Sequence, residues 1–355
     1  MVYILAAILI FGVLIAVHEL GHFLAAKACG VTVHEFSIGM GPALFQKTKG
    51  ETDYSIRLLP IGGFCAMEGE EEESDNPKAL NNQSFWKKFL IYAAGAAMNF
   101  VAGLIILLVL FAGAKGFYTA EVTGFADGSD AAQVGGLQVG DVILAIDGEK
   151  VYTQSNVSLL LGLNTDGTYD FTVRRNGEKV KIHDLAMERK EFPNVNGEGT
   201  YVGFGFTMGG VEEANFFGRI RYSWNCAMDF VRMVRLSLEM IFTGQAGVKD
   251  LSGPVGIVNT ITEVGQQSAT VRDAVSNIAY LAALIAVNLA VMNLLPLPAL
   301  DGGKIFFLAV NALCLLLFKK QIPAKFENYI HIAGFILLMA LMAVVMFQDV
   351  LKLFQ

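Results

Sequence analysis

Apolar residues fill the chain from Met1 to Val17, and no side chain before His18 carries charge. Three later runs have the same character. A bilayer core requires about 20 consecutive apolar residues, and four segments are candidates to cross it: Val2–Leu24, Phe89–Ala114, Ala274–Leu297 and Ile330–Phe347. Between the second and the third the pattern shortens and alternates. Ala131–Gly148 reads as a short helix, a glycine turn and a strand ending at Asp147-Gly148. Tyr169–Arg175 and Glu178–Leu185 flank Asn176-Gly177, a two-residue hairpin signal. These elements predict a water-soluble module inserted between membrane segments. Beyond it, Phe217, Ile220, Trp224, Met228, Val231 and Val234 recur at helical spacing within Ala214–Thr243, with Arg219, Arg221, Arg232 and Arg235 among them. That is the pattern of an interfacial amphipathic helix, although packing alone accounts for it nearly as well.

Composition strengthens the membrane reading. Of 355 residues, 54% are hydrophobic and 17% charged, below the roughly 25% charge of soluble domains. A net charge of −7 argues against nucleic acid as a partner. Cys29, Cys65, Cys226 and Cys314 form no C-x-x-C pair, so neither a thiolate metal site nor a disulfide framework is indicated. The first segment lacks the basic flank of a signal peptide, so it is expected to be retained. Lys27, Lys87 and Lys88 flank the loop between the first two spans, and Lys319, Lys320 and Lys325 lie between the last two. The positive-inside rule places both loops in the cytoplasm, with both termini and the inserted module outside. His18 and His22 then reach a membrane depth similar to that of Leu300-Asp301-Gly302-Gly303.

His18-Glu19-Leu20-Gly21-His22 places two imidazoles four residues apart, on one face of a helix. Such a pair suits a single Zn²⁺, and Glu19 beside it can hold and deprotonate a water. An ionisable side chain at the middle of a membrane helix costs about 2.5–3.5 kcal/mol on insertion scales, which calls for a functional explanation. A catalytic zinc takes three protein ligands and keeps one position open. Asp301 is the expected third. Glu35, across the Gly30-Val31-Thr32 break, and His331, at the start of the last span, are weaker candidates. On local sequence alone, Asp301-Gly302 also reads as a turn after Pro296-x-Pro298.

With these motifs in hand, nearly the whole chain resembles the site-2 proteases, in the PDZ-bearing bacterial branch that includes the regulator of sigma-E protease. The resemblance rests on H-E-x-x-H, on Gly95-x-x-x-Asn99, on Gly136-Leu137-x-x-Gly140-Asp141-x-Ile143, on Ser252-Gly253-Pro254-Val255-Gly256-Ile257, and on Asn293 through Gly303. It implies a zinc-dependent intramembrane endopeptidase that cuts transmembrane helices, typically of anti-sigma factors already trimmed by a site-1 protease. It implies that Asn288 and Asn293 contact the substrate backbone near the metal. It also makes Leu58-Leu59-Pro60-Ile61-Gly62-Gly63-Phe64 similar to the family's membrane re-entrant β-loop, with Gly62, Gly63 and Phe64 as substrate contacts. Without the family, a cytoplasmic hairpin fits Tyr54–Met67 equally well. The acidic run Glu68–Asp75 reads as a solvated loop.

The expected architecture is a polytopic α-helical membrane protein with four transmembrane helices, a re-entrant β-loop and one inserted extracytoplasmic PDZ domain. Its parts are 1–116 and 273–355 as the two halves of the protease core, 117–212 as the PDZ domain and following strands, and 213–272 as amphipathic helix and connector. The expected setting is a bacterial cell membrane, with the bilayer as partner and the active site toward the cytoplasm. The expected chemistry is attack by zinc-activated water, with His18, His22 and Asp301 as ligands and Glu19 as base. Gly124-Phe125-Ala126-Asp127 does not make a carboxylate-binding loop, which favours a PDZ domain that excludes bulky substrates over one that captures chain ends. The alternative of another class is a membrane-anchored PDZ scaffold or chaperone with a vestigial metal site. A transporter is disfavoured, because no second set of broken helices is present.

Overall fold

The computed structural model describes residues 2–70, 72–164, 166–194, 199–247, 249, 251–320 and 322–352. In chain order the elements are α1 (Val2–Cys29), β1 (Val33–Lys49), β2 (Thr52–Met67), α2 (Phe85–Leu110), β3 (Gly116–Tyr118), β4 (Val122–Phe125), β5 (Val142–Ile146), β6 (Glu149–Lys150) and α3 (Ser155–Leu163). There follow β7 (Thr168–Arg175), β8 (Glu178–Ala186), β9 (Lys190–Pro193), β10 (Thr200–Gly203), β11 (Phe206–Met208), β12 (Val211–Glu213) and α4 (Phe216–Phe242). The chain ends with α5 (Pro254–Gln267), α6 (Val271–Asn293), α7 (Asp301–Phe318) and α8 (Ala324–Lys352). Two compact units result, residues 1–110 with 230–355, and residues 111–229.

The first unit is a helical bundle. Its α1 is 28 residues long, about 42 Å at 1.5 Å per residue. The helix stops where Gly30 takes φ +78°, the left-handed conformation that closes a helix without steric cost when no Cβ is present. Ala7 and Leu14 of α1 pack with Ile261 of α5 and with Ile285 and Ala286 of α6. Toward its other end, Ala26 joins Val31, Val33, Cys65, Met67, Leu80 and Ile91 in a second cluster.

Among the described residues, five helices, not four, are long and apolar enough to cross a membrane: α1, α2, α6, α7 and residues 325–352 of α8. The sequence pattern of α7 resembles a loop, because Asp301, Lys304 and Asn311 interrupt its apolar run and Lys319 follows directly. In the structure Asp301 occupies the first turn of α7, where a carboxylate is favoured by the helix dipole. Gly302 and Gly303 follow for steric reasons. A Cβ on either would collide with a carbonyl oxygen, that of Leu295 or that of Leu297, so only glycine lets α7 start against the turn that precedes it.

The strands β1 and β2 form more than a hairpin. Lys49↔Thr52 through Ala43↔Arg57 run antiparallel around the Gly50-Glu51 turn, and Val33↔Met67 through Ile38↔Gly63 do the same. Residues Glu35 to Ile38 also pair with Asp53 to Ile56, both rising together along the chain in the parallel sense. Four strand segments therefore lie in the order 43–49, 52–57, 35–38, 63–67. Among the described residues, the last of these pairs on one side only. Glu35 accepts hydrogen bonds from Ser55 Oγ and Arg57 Nη2 inside this sheet, which removes it as a candidate metal ligand.

The acidic run that follows is bonded as well as solvated. Glu68 accepts from Ser74 Oγ and Asn76 Nδ2, and Glu70 pairs with Lys304 of α7 at 2.7 Å. Glu71 lies outside the described residues.

In the second unit, β6, β5, β7 and β8 make an antiparallel sheet in that order, with two-stranded pairs β4–β11, β3–β12 and β9–β10. Asn176 and Gly177 take φ of +52° and +86°, as the two-residue turn joining β7 to β8 requires. Asp141 is fully buried and accepts two hydrogen bonds from Arg175, at 2.8 and 2.7 Å, and one from the Gln138 N–H. That network explains Asp141, and a φ of +90° explains the glycine before it. Cys226 of α4 is buried, and burial pushes its thiol up to about 12, which makes it inert.

Candidate metal centre

His18 and His22 stand one turn apart on α1, and the beginning of α7 brings Asp301 to them. The three side chains are the cluster with metal-binding geometry among the described residues. His18 Nε2 and His22 Nε2 are 3.2 Å apart, and Asp301 Oδ2 lies 3.1 Å from the first and 3.3 Å from the second. A tetrahedral zinc with bonds of 2.0–2.1 Å has ligand atoms about 3.3–3.4 Å from one another. The triangle therefore fits three corners of such a site.

Neighbouring groups determine where the protons sit. His22 Nδ1 lies 2.8 Å from the Ile91 carbonyl oxygen on α2, so Nδ1 carries the hydrogen and Nε2 presents a lone pair. Asn99, buried on the same helix, places its amide within 3.5 Å of His18 Nδ1. Its Oδ1 has no partner among the described residues. A half-turn of that amide puts Oδ1 against the Nδ1 hydrogen and leaves the second Nε2 lone pair facing the cluster. Asp301 Oδ2 is also buried without a hydrogen-bond partner there. Lone pairs of two imidazoles and a carboxylate thus converge with nothing between them to share. A cation resolves that repulsion, and the donor set suits zinc.

Packing requires glycine around this cluster. A Cβ at Gly95 of α2 would collide with His22 Nε2 and lie 2.8 Å from His18 Nε2. One at Gly21 of α1 would collide with the Ala94 carbonyl oxygen. Glu19 is half-buried on α1, and its Cγ is 3.5 Å from where a Cβ of Gly63 would be. The one-sided strand segment thus begins beside Glu19. Gly62 has φ +90°, and the Arg57 guanidinium sits 5.0 Å above the Phe64 ring. Farther along β2, the Pro60 carbonyl oxygen would be 2.5 Å from a Cβ on Gly12.

Asn293 ends α6 half-buried, and Asn288 is exposed one turn earlier. Nothing among the described residues ties either side chain to the three ligand atoms. His331, the other weak candidate, bonds the Ala299 N–H instead of joining the cluster. The sequence reading missed what Asn99, Gly95 and the Ile91 carbonyl do. The Gly95-x-x-x-Asn99 spacing was the available signal, since residues four apart share a helix face.

Comparison with known proteins places the chain in a family. A Clostridium perfringens relative is 38% identical over 351 residues, 98% of each chain. The zinc metalloprotease RasP of Shouchella clausii is 30% identical over 431 aligned positions, covering 99% of both. The regulator of sigma-W protease RasP of Bacillus subtilis is 28% identical over 433, again with 99% of both covered. Residues 6–341 match the family described as Peptidase family M50. From its first helix to its last, this chain belongs to peptidase family M50, the intramembrane zinc metalloproteases.

Proposed function

We propose that this chain cuts transmembrane helices of membrane proteins, with His18, His22 and Asp301 holding zinc and Glu19 as the general base. The observation that carries the reading is the convergence of three candidate ligand atoms, 3.1–3.3 Å apart, one residue from a carboxylate. Zinc, when bound, supplies the Lewis acidity that makes water nucleophilic at neutral pH. Glu19 takes the proton of that water and returns it to the leaving amine. A helical substrate has its peptide groups bonded internally, so the scissile bond must first be unwound. Segment 63–67, which pairs on one side only among the described residues, can hold the extended form by strand addition. Asn293, and with it Asn288, supplies side-chain hydrogen bonds to that strand or to the developing oxyanion. A vestigial scaffold has no use for a base placed there.

Polar contacts of α7 support four membrane crossings from five apolar helices. Lys304 pairs with Glu70, and Asn311 Nδ2 lies 3.3 Å from Glu327. Both partners belong to segments that carry Lys78, Lys87 and Lys88, or Lys319, Lys320 and Lys325. On this reading α6 and α7 make one inward path, broken at Leu294–Leu300, and the lysine-rich loops are cytoplasmic. Tyr3, against Gly265, and Asp349, against Gly253, mark the outer end. The β1–β2 sheet is re-entrant: its Pro60 meets Gly12, seven residues or about 10 Å beyond Glu19 along α1.

Residues 111–229 are read as a PDZ domain on the extracytoplasmic side. The glycine loop absent at Gly124–Asp127 has a counterpart at Gly203-Phe204-Gly205-Phe206, where Gly205 takes φ +71°. This loop leads into β11, which pairs with β4 and, among the described residues, with no other strand. Such an arrangement suits a chain-end carboxylate followed by strand addition, and turns the preference from exclusion to capture. The fitting substrate is an anti-sigma factor with a newly trimmed end.

The test is metal content and cleavage of a transmembrane peptide by purified variants. Glu19→Gln keeps zinc and loses turnover by at least about a hundredfold, as expected for loss of a general base. His22→Ala and Asp301→Asn lose both. Near-normal cleavage by Glu19→Gln would remove the base assignment, and unchanged zinc in Asp301→Asn would return Asp301 to a turn residue.

A further inference from the structure

The turn Leu294–Leu300 has to place Asp301 while lying among membrane helices, and its backbone donors can be counted in full. The N–H groups of Leu294, Leu295, Leu297 and Leu300 donate to the carbonyls of Val291, Met292, Leu295 and Leu297. Pro296 and Pro298 have no N–H to satisfy. Ala299 remains, and the turn offers it nothing. Its N–H donates instead to Nδ1 of His331 on α8, at 3.0 Å and 32 residues along the chain. In a membrane interior an unpartnered amide is not tolerated, so this bond completes the turn.

Ala299 is held in an unusual conformation as well. Its φ is +73°, a region that a Cβ makes unfavourable. Gly334, on the next turn of α8, presses on the preceding residue: a Cβ there would collide with Pro298 Cβ and lie 3.0 Å from its Cγ. The His331 ring also packs on Phe307 of α7, with centroids 5.3 Å apart. One face of α8 thus grips the turn at two successive residues and touches the helix that carries Asp301. With Nδ1 accepting, the His331 proton sits on Nε2, 3.9 Å from Glu327 on the same helix.

We propose that His331 is a positioning residue of the zinc centre. By accepting the Ala299 hydrogen it fixes the left-handed turn that sets where Asp301 Oδ2 lies, without touching metal or substrate. The inference rests on the reading of Asp301 as a ligand. It assigns α8 an indirect part in metal affinity, through the turn that carries Asp301.

The experiment measures zinc retained by full-length protein in detergent against a graded chelator, together with kcat and KM on a transmembrane peptide. His331→Leu removes the acceptor at similar bulk and is expected to weaken zinc about tenfold, the scale of outer-shell losses, with kcat falling and KM unchanged. His331→Asn keeps an acceptor oxygen near the position of Nδ1 and is expected to stay within about threefold of the parent. Adding Ala299→Gly to His331→Leu should recover only part of the loss, since glycine enters positive φ freely but its N–H stays without the His331 acceptor. Gly334→Ala, which leaves His331 intact and pushes on Pro298, should weaken zinc in the same direction. Parental zinc affinity in His331→Leu or Gly334→Ala, or an Asn variant as damaged as the Leu one, would overturn the proposal. Asp301→Asn, run in parallel, separates this failure from failure of the ligand assignment: if it keeps zinc, the ligand reading itself falls.

Discussion

Gly95 lies directly against the His22 imidazole, so close that a Cβ on the glycine would collide with Nε2. The two residues belong to different apolar helices, and their contact makes α2 the floor of the candidate ligand cluster. Gly95→Ala should therefore tilt both imidazoles and lower zinc content by at least about tenfold, the scale on which supporting groups act. Gly113→Ala, where a Cβ meets nothing within 4 Å, is the control. Zinc measured per mole of protein decides the matter, and equal content in the two variants would count against a close-packed floor.

Asp349, near the end of α8, caps α5. Its Oδ2 accepts from the N–H groups of Gly253 and Gly256, at 2.9 and 2.8 Å, while itself 3% exposed. A Cβ at either glycine would approach the carboxylate to 2.8–3.0 Å, which explains the Gly253-Pro254-x-Gly256 run. Asp349→Ala removes a cap and leaves two donors unmatched, expected to cost about 1–2 kcal/mol. The measurable result is faster amide exchange across Pro254–Gln267 with zinc content unchanged. If α5 exchanged as in the parent, the cap would be incidental.

How far the sequence could be read depended on how locally each feature is determined. His18, Glu19 and His22 fall within one helical turn, so their shared face follows from spacing alone. Asp301 was reached through membrane depth, inferred from lysines that flank loops. The hairpin at Asn176-Gly177 and the helix over Phe216–Phe242 followed from turn chemistry and periodicity. Other features depend on how distant segments meet. The Ile91 carbonyl and the Asn99 amide act on histidines some 70 to 80 residues away, and only the register of α2 against α1 selects them. The pairing of residues 35–38 on both sides, the 14-residue α5 and the fifth apolar helix were likewise hidden. In α7, polar residues that join Glu70 and Glu327 looked like loop.

Deleting the module tests capture against exclusion. Under capture, a short trimmed transmembrane substrate should show a higher KM with kcat nearly unchanged, and Gly205→Val, which forces a side chain onto Phe192, should do the same. Under exclusion, KM for that substrate stays put and cleavage of the untrimmed precursor rises. An inserted, stable deletion protein with no kcat toward the trimmed substrate would exclude both.

The strand segment beside Glu19 has a consequence for the length of whatever is laid upon it. Among the described residues, the five from Gly63 to Met67 pair on one side only. Five substrate residues that rise about 1.5 Å each as helix rise about 3.3 Å each as strand, so the substrate lengthens by about 9 Å. That is close to a third of the hydrocarbon thickness of about 30 Å. The added length has to leave the bilayer at one end. A helix anchored by folded domains on both faces cannot slide so far, whereas one with a freed end can. On the proposed reading, the geometry of unwinding would give prior trimming a mechanical reason, independent of any module that inspects the trimmed end.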